Sequence, residues 1–443
     1  MNVLRSKPID MLMVYPVPTD DSPFNLTPLS IMYPGAMFEA QGMSVEYVDL
    51  RWDSWQMMED LIRESSQIGV SCFTGHQCAK AMDVIERAKQ INQKVIVHVG
   101  GHHARLQTEQ VKAEPLVDVV WPNRAYGEDL FPFSPAAQRL WKRGDLQMVT
   151  STGCPYACTF CALRSEWNPR DLDALEHQVD MVYDLTGFIE VSFSDPNIGY
   201  HKYKVDGVTH RVDRVERMNG IGRILRKHGI RWDGNIRSDY ITPELVDAMA
   251  QSGCYSIEFG CESGNDWFLR NVIKKGHGID SIRNANLCMH GSGISVMNSW
   301  VRGMPTETHE QWLDTMNLID WIMEVAPEAR ASVYRFTPYP GGPAYDMAVK
   351  GTGIEKFNPP TTMRGWGELK LMVDNTYWCA GMCFRLDNTE KNFPGDDWKL
   401  IEPYVLEARR LWKARRPEDF AHSAEVERLI EFQVRKHTGR MAA

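Results

Sequence analysis

Cys154, Cys158 and Cys161 lie in the run Thr-Gly-Cys-Pro-Tyr-Ala-Cys-Thr-Phe-Cys at positions 152–161, a C-x3-C-x2-C spacing. A four-iron, four-sulfur (4Fe–4S) cluster normally takes one cysteine per iron, so three thiolates leave one iron open. An open position on a metal is where a small molecule can be bound and activated. A structural zinc site would want a fourth Cys or His, and none besides these three lies between Gly153 and Leu175. Three unrelated buried thiols are the other alternative.

These cysteines need a scaffold, and the surrounding pattern supplies one. From Gln147 to about Pro343 short β-rich runs alternate with helical stretches. The expected strands are Gln147–Ser151, Ile189–Phe193, Arg231–Asn235, Tyr255–Phe259, Ser295–Val301 and Arg330–Phe336. In βα barrels the active site collects on the loops after the strands, and the cysteine run follows the first of these. Polar or glycine-containing segments follow the others: Ser194-Asp195-Pro196-Asn197, then Asn235, Arg237 and Ser238, then Gly260-Cys261-Glu262-Ser263-Gly264. Val301 to Thr308 and Thr337 to Gly341 complete the series.

The cysteine spacing and the order of these segments resemble the radical S-adenosylmethionine (SAM) superfamily. The resemblance implies a partial (β/α)6 barrel whose cluster leaves one iron for the amino and carboxylate groups of SAM. Phe160 matches the aromatic position placed beside the adenine. Asp195 and Asn197, Arg237, Glu262 and Ser263, Gly303 and Pro305, and Tyr339 match the segments that line the SAM side. There the Glu262 carboxylate would accept hydrogen bonds from the SAM amino group. Lys274 and Lys275 precede Gly276 and are expected to form a solvated helix end, with the SAM carboxylate as the alternative neighbour.

Upstream, Met11–Tyr15, Ser44–Leu50, Ile68–Phe73, Val95–Val99 and Val117–Trp121 are expected strands, with helices near Pro28–Gln41, Trp55–Ser65 and Gln77–Gln90. This is the pattern of a doubly wound, Rossmann-type parallel sheet, which binds ligands at the carboxyl ends of its strands. Ser71-Cys72-Phe73 and Gly100-Gly101-His102-His103 sit at two such ends, where small residues let a flat ligand approach the backbone. They resemble elements of the cobalamin-binding domain, as does the Tyr-Gly-Glu-Asp ending at Asp129, although Phe73 stands where that family has Leu. Ser71, Gly100, Gly101 and His102 are thus the expected cobalamin side. The Asp-x-His-x-x-Gly motif that supplies a lower axial histidine is absent, so bound cobalamin would lack that ligand.

The expected layout is a cobalamin-binding-like domain over 1–131, a linker over 132–146 and the radical SAM barrel over 147–345. A mostly helical region follows over 346–443, with a long amphipathic helix or helix pair from Asp396 to about His437. Cys379 and Cys383 alone cannot hold an auxiliary cluster, and packing is their expected role. The chain has 443 residues, 43% hydrophobic and 24% charged, with no apolar run of membrane-spanning length and no signal-peptide pattern. Its ten cysteines form no disulfide framework, which suits a reducing cytoplasm. Net charge of −9 weighs against nucleic acid as a partner. Fourteen Trp and twenty-three Met are expected mostly in the core, with an apolar substrate cavity as the alternative.

The resemblance implies reductive cleavage of SAM, with an external one-electron donor of the flavodoxin or ferredoxin type and a natural-product-like small-molecule substrate. The leading expectation is C-methylation of an unactivated carbon from methylcobalamin. The alternative is oxidative cyclisation or rearrangement, similar to the anaerobic magnesium-protoporphyrin ester cyclase. A tRNA methylthiotransferase is disfavoured because residues 1–131 lack that family's three cluster cysteines. A non-catalytic cofactor carrier would bind the same groups without cleaving SAM.

Overall fold

The computed structural model describes residues 8–17, 26–122, 130–354 and 356–369. Five strands, β1 (Ile9–Tyr15), β2 (Val45–Asp49), β3 (Ser65–Ser71), β4 (Ile96–Gly100) and β5 (Val119–Val120), form an all-parallel sheet in the order β2-β1-β3-β4-β5. Alternation along β1 sends Met11 and Met13 to one face, Leu12 and Val14 to the other. Both faces are covered, which is why this strand is a nearly continuous apolar run. Leu12 and Val14 pack with Met58, Ile62 and Ile85 of the helices Trp55–Glu64 and His76–Ile91. Met11 and Met13 meet Ile31 and Met32 of the helix Leu29–Ala40 in a core continuous with that of the second half.

The second half is the partial barrel. Its strands are β6 (Gln147–Met148), β7 (Glu190–Phe193), β8 (Arg231–Ile236), β9 (Cys254–Glu262), β10 (Ser295–Arg302) and β11 (Arg330–Arg335). All pair in parallel and in chain order, leaving β6 and β11 as unpaired edges, so the barrel is open. Helix entry follows ordinary capping chemistry: Asp171, Asp213 and Thr242 each accept a backbone N–H at the start of a helix. Thr308 and Gln311 form a reciprocal capping box on the helix His309–Val325.

The segment 132–146, expected as a linker, is built into the core instead. Ser134 caps a helix, Pro135–Trp141, whose Ala137, Leu140 and Trp141 are buried between the two halves. Three apolar side chains on one helical face are the physical reason, since they need a surface to cover. The chain also returns to its first half: Met363 and Trp366 of the helix Met363–Glu368 join the core under β1 and β3, and Arg364 bonds Asp83 and Glu86. Trp141, Trp167, Trp232, Trp300, Trp312 and Trp366 are buried, and Trp121 and Trp321 pack half-buried against the core, so most of the tryptophans the structure describes serve packing, while Trp52, Trp55 and Trp267 are exposed. The expected helix from Asp396 to His437, Cys379, Cys383 and Asp129 lie outside the described residues.

Candidate active site

The cysteine loop leaves the barrel after β6 and is anchored at several points. Residues Ser151–Thr152 pair antiparallel with Asn168–Pro169, and Ser165 N–H donates to the Cys154 carbonyl. Thr159 N–H donates to the Ile273 carbonyl, and its hydroxyl to that of Val272, which fixes the loop against the segment leading to Lys275. All three thiols are free and half-buried. Burial pushes the Cys158 thiol above its ordinary pKa, with Lys275 and Arg237 pulling the other way; burial likewise raises Cys161. Cys154 raises both of them and Cys158 also raises Cys161, so the three converge on one region. Among the described residues no three His, Cys, Asp or Glu side chains meet at a point that would hold a single metal ion. A cluster suits the arrangement, because its cysteines ligate separate irons and need not meet at one point. The Leu163 N–H already points at the Cys161 sulfur, at 3.4 Å.

Facing the loop is a ring of buried charge. Glu262 ends β9 with a positive φ of 65°, and its carboxylate lies 2.8 Å from Lys275 Nζ, both side chains under 10% exposed. Burial works against the charge on Lys275, but Glu262 and the Cys158 thiol outweigh it and raise its pKa. Lys275 is therefore not the solvated helix end expected for it; Lys274 alone stays exposed. The carbonyl of Lys275 accepts from the Arg237 guanidinium at 2.6 Å. Arg237 also pairs with Asp239 and lies 3.6 Å from the centroid of the Tyr156 ring, between Cys154 and Cys158 in sequence. Hence Arg237 forms the wall of the site with its Nε and Nη2 engaged.

The remaining expected SAM-side residues divide. Asn197 and Ser238 come together at the mouth. Asn197 is buried, its Oδ1 accepts the Arg237 N–H, and its Nδ2 has no partner; the buried Ser238 hydroxyl has none either. Orphaned buried donors beside an ion-pair ring fit a polar, charged ligand such as SAM. Phe160 packs half-buried against the barrel core. Ser263 bonds Thr315 and the Asn265 N–H, ordering the turn after β9. The Gly303 N–H donates to Glu307, next to the buried Pro305, and burial pushes that carboxyl up to about 7. Asp195 has protein partners of its own. It is wholly buried, and its carboxylate accepts from the Thr150 N–H, the Thr150 hydroxyl and the Ser151 hydroxyl. Both oxygens are bonded to the segment that leads into the cysteine loop, which ties that loop to the end of β7.

The expected cobalamin-side residues gather at the carboxyl ends of β3 and β4. The Ser71 hydroxyl bonds that of Ser30 at 3.0 Å, and the half-buried Gly100 ends β4. Gly101 has a φ of 96°, and a Cβ there would lie 2.7 Å from the Cys72 carbonyl. Its own backbone therefore demands glycine, a reason distinct from ligand approach. Phe73 is 40% exposed and stacks on His102 with centroids 5.0 Å apart, making a flat, partly apolar platform. Phe73 is the residue that sequence reasoning undervalued: a departure from the family pattern, it gave no sign of its stacking partner.

This platform abuts the cluster loop. The Phe73 ring meets Tyr339, after β11, edge-on at 6.3 Å. Arg105, in the helix His102–Leu106, donates to the Ala162 carbonyl at 2.8 Å. Gly341 lies against Leu106 and Ala162, and a Cβ there would come within 2.6 Å and 3.0 Å of them. The two halves thus touch where these strand-end loops meet.

Comparisons with known proteins agree with this geometry. The B12 binding domain model matches residues 17–132 and the Radical SAM superfamily model residues 148–319. An uncharacterized methyltransferase of Pyrococcus horikoshii is 22% identical over 212 residues, 46% of this chain and 41% of that protein. A tRNA-2-methylthio-N(6)-dimethylallyladenosine synthase of Corynebacterium diphtheriae is 23% identical over 309 residues, 60% and 56% of the two chains. The chain thus spans about half the length of these curated relatives. Among solved structures, the cobalamin-dependent radical enzyme OxsB with aqua-cobalamin and SAM bound superposes with a TM-score of 0.69 at 14% identity. That match covers 97% of this chain and 72% of OxsB, a likeness of fold. By these matches the chain carries a B12 binding domain followed by a Radical SAM superfamily domain, a pair whose cofactors are cobalamin, a 4Fe–4S cluster and SAM.

Proposed function

We propose that this protein C-methylates an unactivated carbon of a small molecule. The observation that carries the reading is the shared border of the two faces, through Arg105 with Ala162 and Phe73 with Tyr339. Hydrogen abstraction and methyl delivery must act on one carbon, so their sources must open onto one cavity. When bound, the cluster and SAM supply a 5′-deoxyadenosyl radical, and methylcobalamin supplies the methyl group.

The chain's own residues bind, orient and exclude water. Cys154, Cys158 and Cys161 would hold the cluster. The Glu262 carboxylate, oriented by Lys275, would accept from the SAM amino group, with Asn197 Nδ2 and Ser238 Oγ as further polar contacts. Asp195 would keep the cysteine loop in register through Thr150 and Ser151. Phe73 and His102 would seat the corrin face, and Tyr339 would close the cavity between the halves.

Residues 1–131 contain only two cysteines, Cys72 and Cys78. That supports methyl transfer over the methylthio chemistry in the name of the C. diphtheriae relative. Oxidative cyclisation is the remaining alternative, and product mass separates the two. Anaerobic turnover with methyl-deuterated SAM should give a product heavier by one labelled methyl group. Loss of hydrogen without label would overturn the proposal.

A further inference from the structure

An exposed hairpin beside the cysteine loop has a charge distribution that folding does not explain. Lys202–Val205 pairs antiparallel with Val208–Arg211, and Lys202 stands directly opposite Arg211. Cross-strand partners share a face, so Lys202, Arg211 and Lys204 lie together on one side. Two cations directly opposed destabilise a hairpin, and among the described residues no carboxylate pairs with either. The hairpin's one carboxylate, Asp206, is at the turn, while Lys204 reaches Glu166 only at 4.0 Å. Lys202 and Arg211, with Arg214, also depress the pKa of His201, after burial the main causes. A chain with a net charge of −9 therefore keeps a concentrated positive face at some cost in stability.

The opposite face fixes where these charges sit. Tyr203 stacks on His210 and meets Trp167 edge-on at 6.2 Å. Trp167 meets Tyr200 at 5.5 Å, and Tyr200 meets Tyr156 at 5.8 Å, within the C-x3-C spacing itself. The hairpin is thus separated from the cysteine loop by a short layer of rings.

We propose that the Lys202–Lys204–Arg211 face docks an acidic one-electron carrier protein, which delivers its electron to the cluster at the adjoining loop. This rests on the reading that the cysteines hold a reducible cluster. The carrier is oxidised by one electron and the cluster reduced by one, with no proton required. Charge complementarity favours this occupant: redox encounters are small and transient, and charge raises their rate of association more than their final affinity.

Flavodoxin is the probe. Oxidised flavodoxin should bind the anaerobically reconstituted protein at low salt and lose most of that affinity at high salt. A zero-length carbodiimide cross-linker should join its carboxylates to Lys202 or Lys204. The K202E/K204E/R211E variant should bind at least tenfold more weakly, and SAM cleavage driven by reduced flavodoxin should fall to match. Cleavage driven by dithionite, which needs no docking face, should stay at the wild-type rate. Lys202→Glu alone pairs a carboxylate with Arg211, so it should stabilise the fold while weakening flavodoxin binding, which separates docking from misfolding. Wild-type flavodoxin affinity in the triple variant would overturn the proposal, as would a loss of tRNA binding with flavodoxin binding intact. No cleavage by the wild type with dithionite would instead overturn the cluster reading, and the cross-linking and affinity results would still decide the docking face.

Discussion

The two strand-end faces touch through their loops, yet they are made of opposite materials. The barrel face is charged and buried: Glu262 with Lys275, Arg237 with Asp239, and the unpartnered Asn197 and Ser238. The Rossmann-type face is nearly neutral: Ser71, two glycines and the Phe73–His102 stack. A small zwitterion loses much hydration on burial, so its site must replace water with fixed charges and hydrogen bonds. A large flat macrocycle gains chiefly from surface contact, so its site must offer area and access. The difference teaches which cofactor each face can hold.

The largest test of this contrast is to change Cys154, Cys158 and Cys161 together to Ala. Iron content and SAM cleavage should fall to background by metal analysis and deoxyadenosine assay, while the corrinoid spectrum persists. Loss of both cofactors together would mean that the faces are not separate sites.

Next in size is Glu262→Ala, which strands the buried Lys275 charge. We expect about 3–5 kcal/mol of lost stability by denaturant unfolding and at least tenfold weaker SAM binding. Adding Lys275→Met should restore most of the stability without restoring SAM affinity. Recovery of both would reduce the pair to a structural role.

Gly101→Val acts on the other face alone. A side chain at a φ of 96° collides with the Cys72 carbonyl, so the variant should lose about 1–3 kcal/mol. It should also lose corrinoid binding, measured by absorbance, with iron content unchanged.

The smallest effect concerns Glu307. Burial pushes its carboxyl up to about 7, against the Gly303 N–H, Arg302 and the Met304 N–H. The folded form therefore holds its proton more tightly than the unfolded form. Stability should be greatest below the ordinary carboxylate pKa and fall by roughly 1–3 kcal/mol as pH rises through 7. Glu307→Gln should flatten that slope in thermal unfolding across the range; an unchanged slope would remove Glu307 as its cause.

Much of this was legible in the order of residues. The short, nearly continuous apolar runs located every strand of both parallel sheets to within a few residues, because burial on two faces leaves a local signature. The cysteine spacing was equally local. Lys275 was not legible, since Lys274-Lys275-Gly276 has the same composition as a solvated helix end; only the Glu262 carboxylate across the fold makes it a buried cation. The contacts of Asp195 were hidden for the converse reason. Its place after β7 suits a ligand contact, and nothing near it in sequence announces Thr150 and Ser151. The helix Pro135–Trp141 was hidden by its length, too short for a clear helical period.

By itself, the sequence settled which atoms are available: three thiolates for a four-iron group, a carboxylate after β9, glycine where β4 ends. It also settled the alternation that stacks them in two parallel sheets, since backbone pairing and apolar periodicity act over a few residues. Only the tertiary structure decided which charges meet. Whether a carboxylate faces a ligand, a lysine or a backbone N–H depends on contacts across more than a dozen residues and on the burial that strengthens them, and neither is encoded in spacing along the chain.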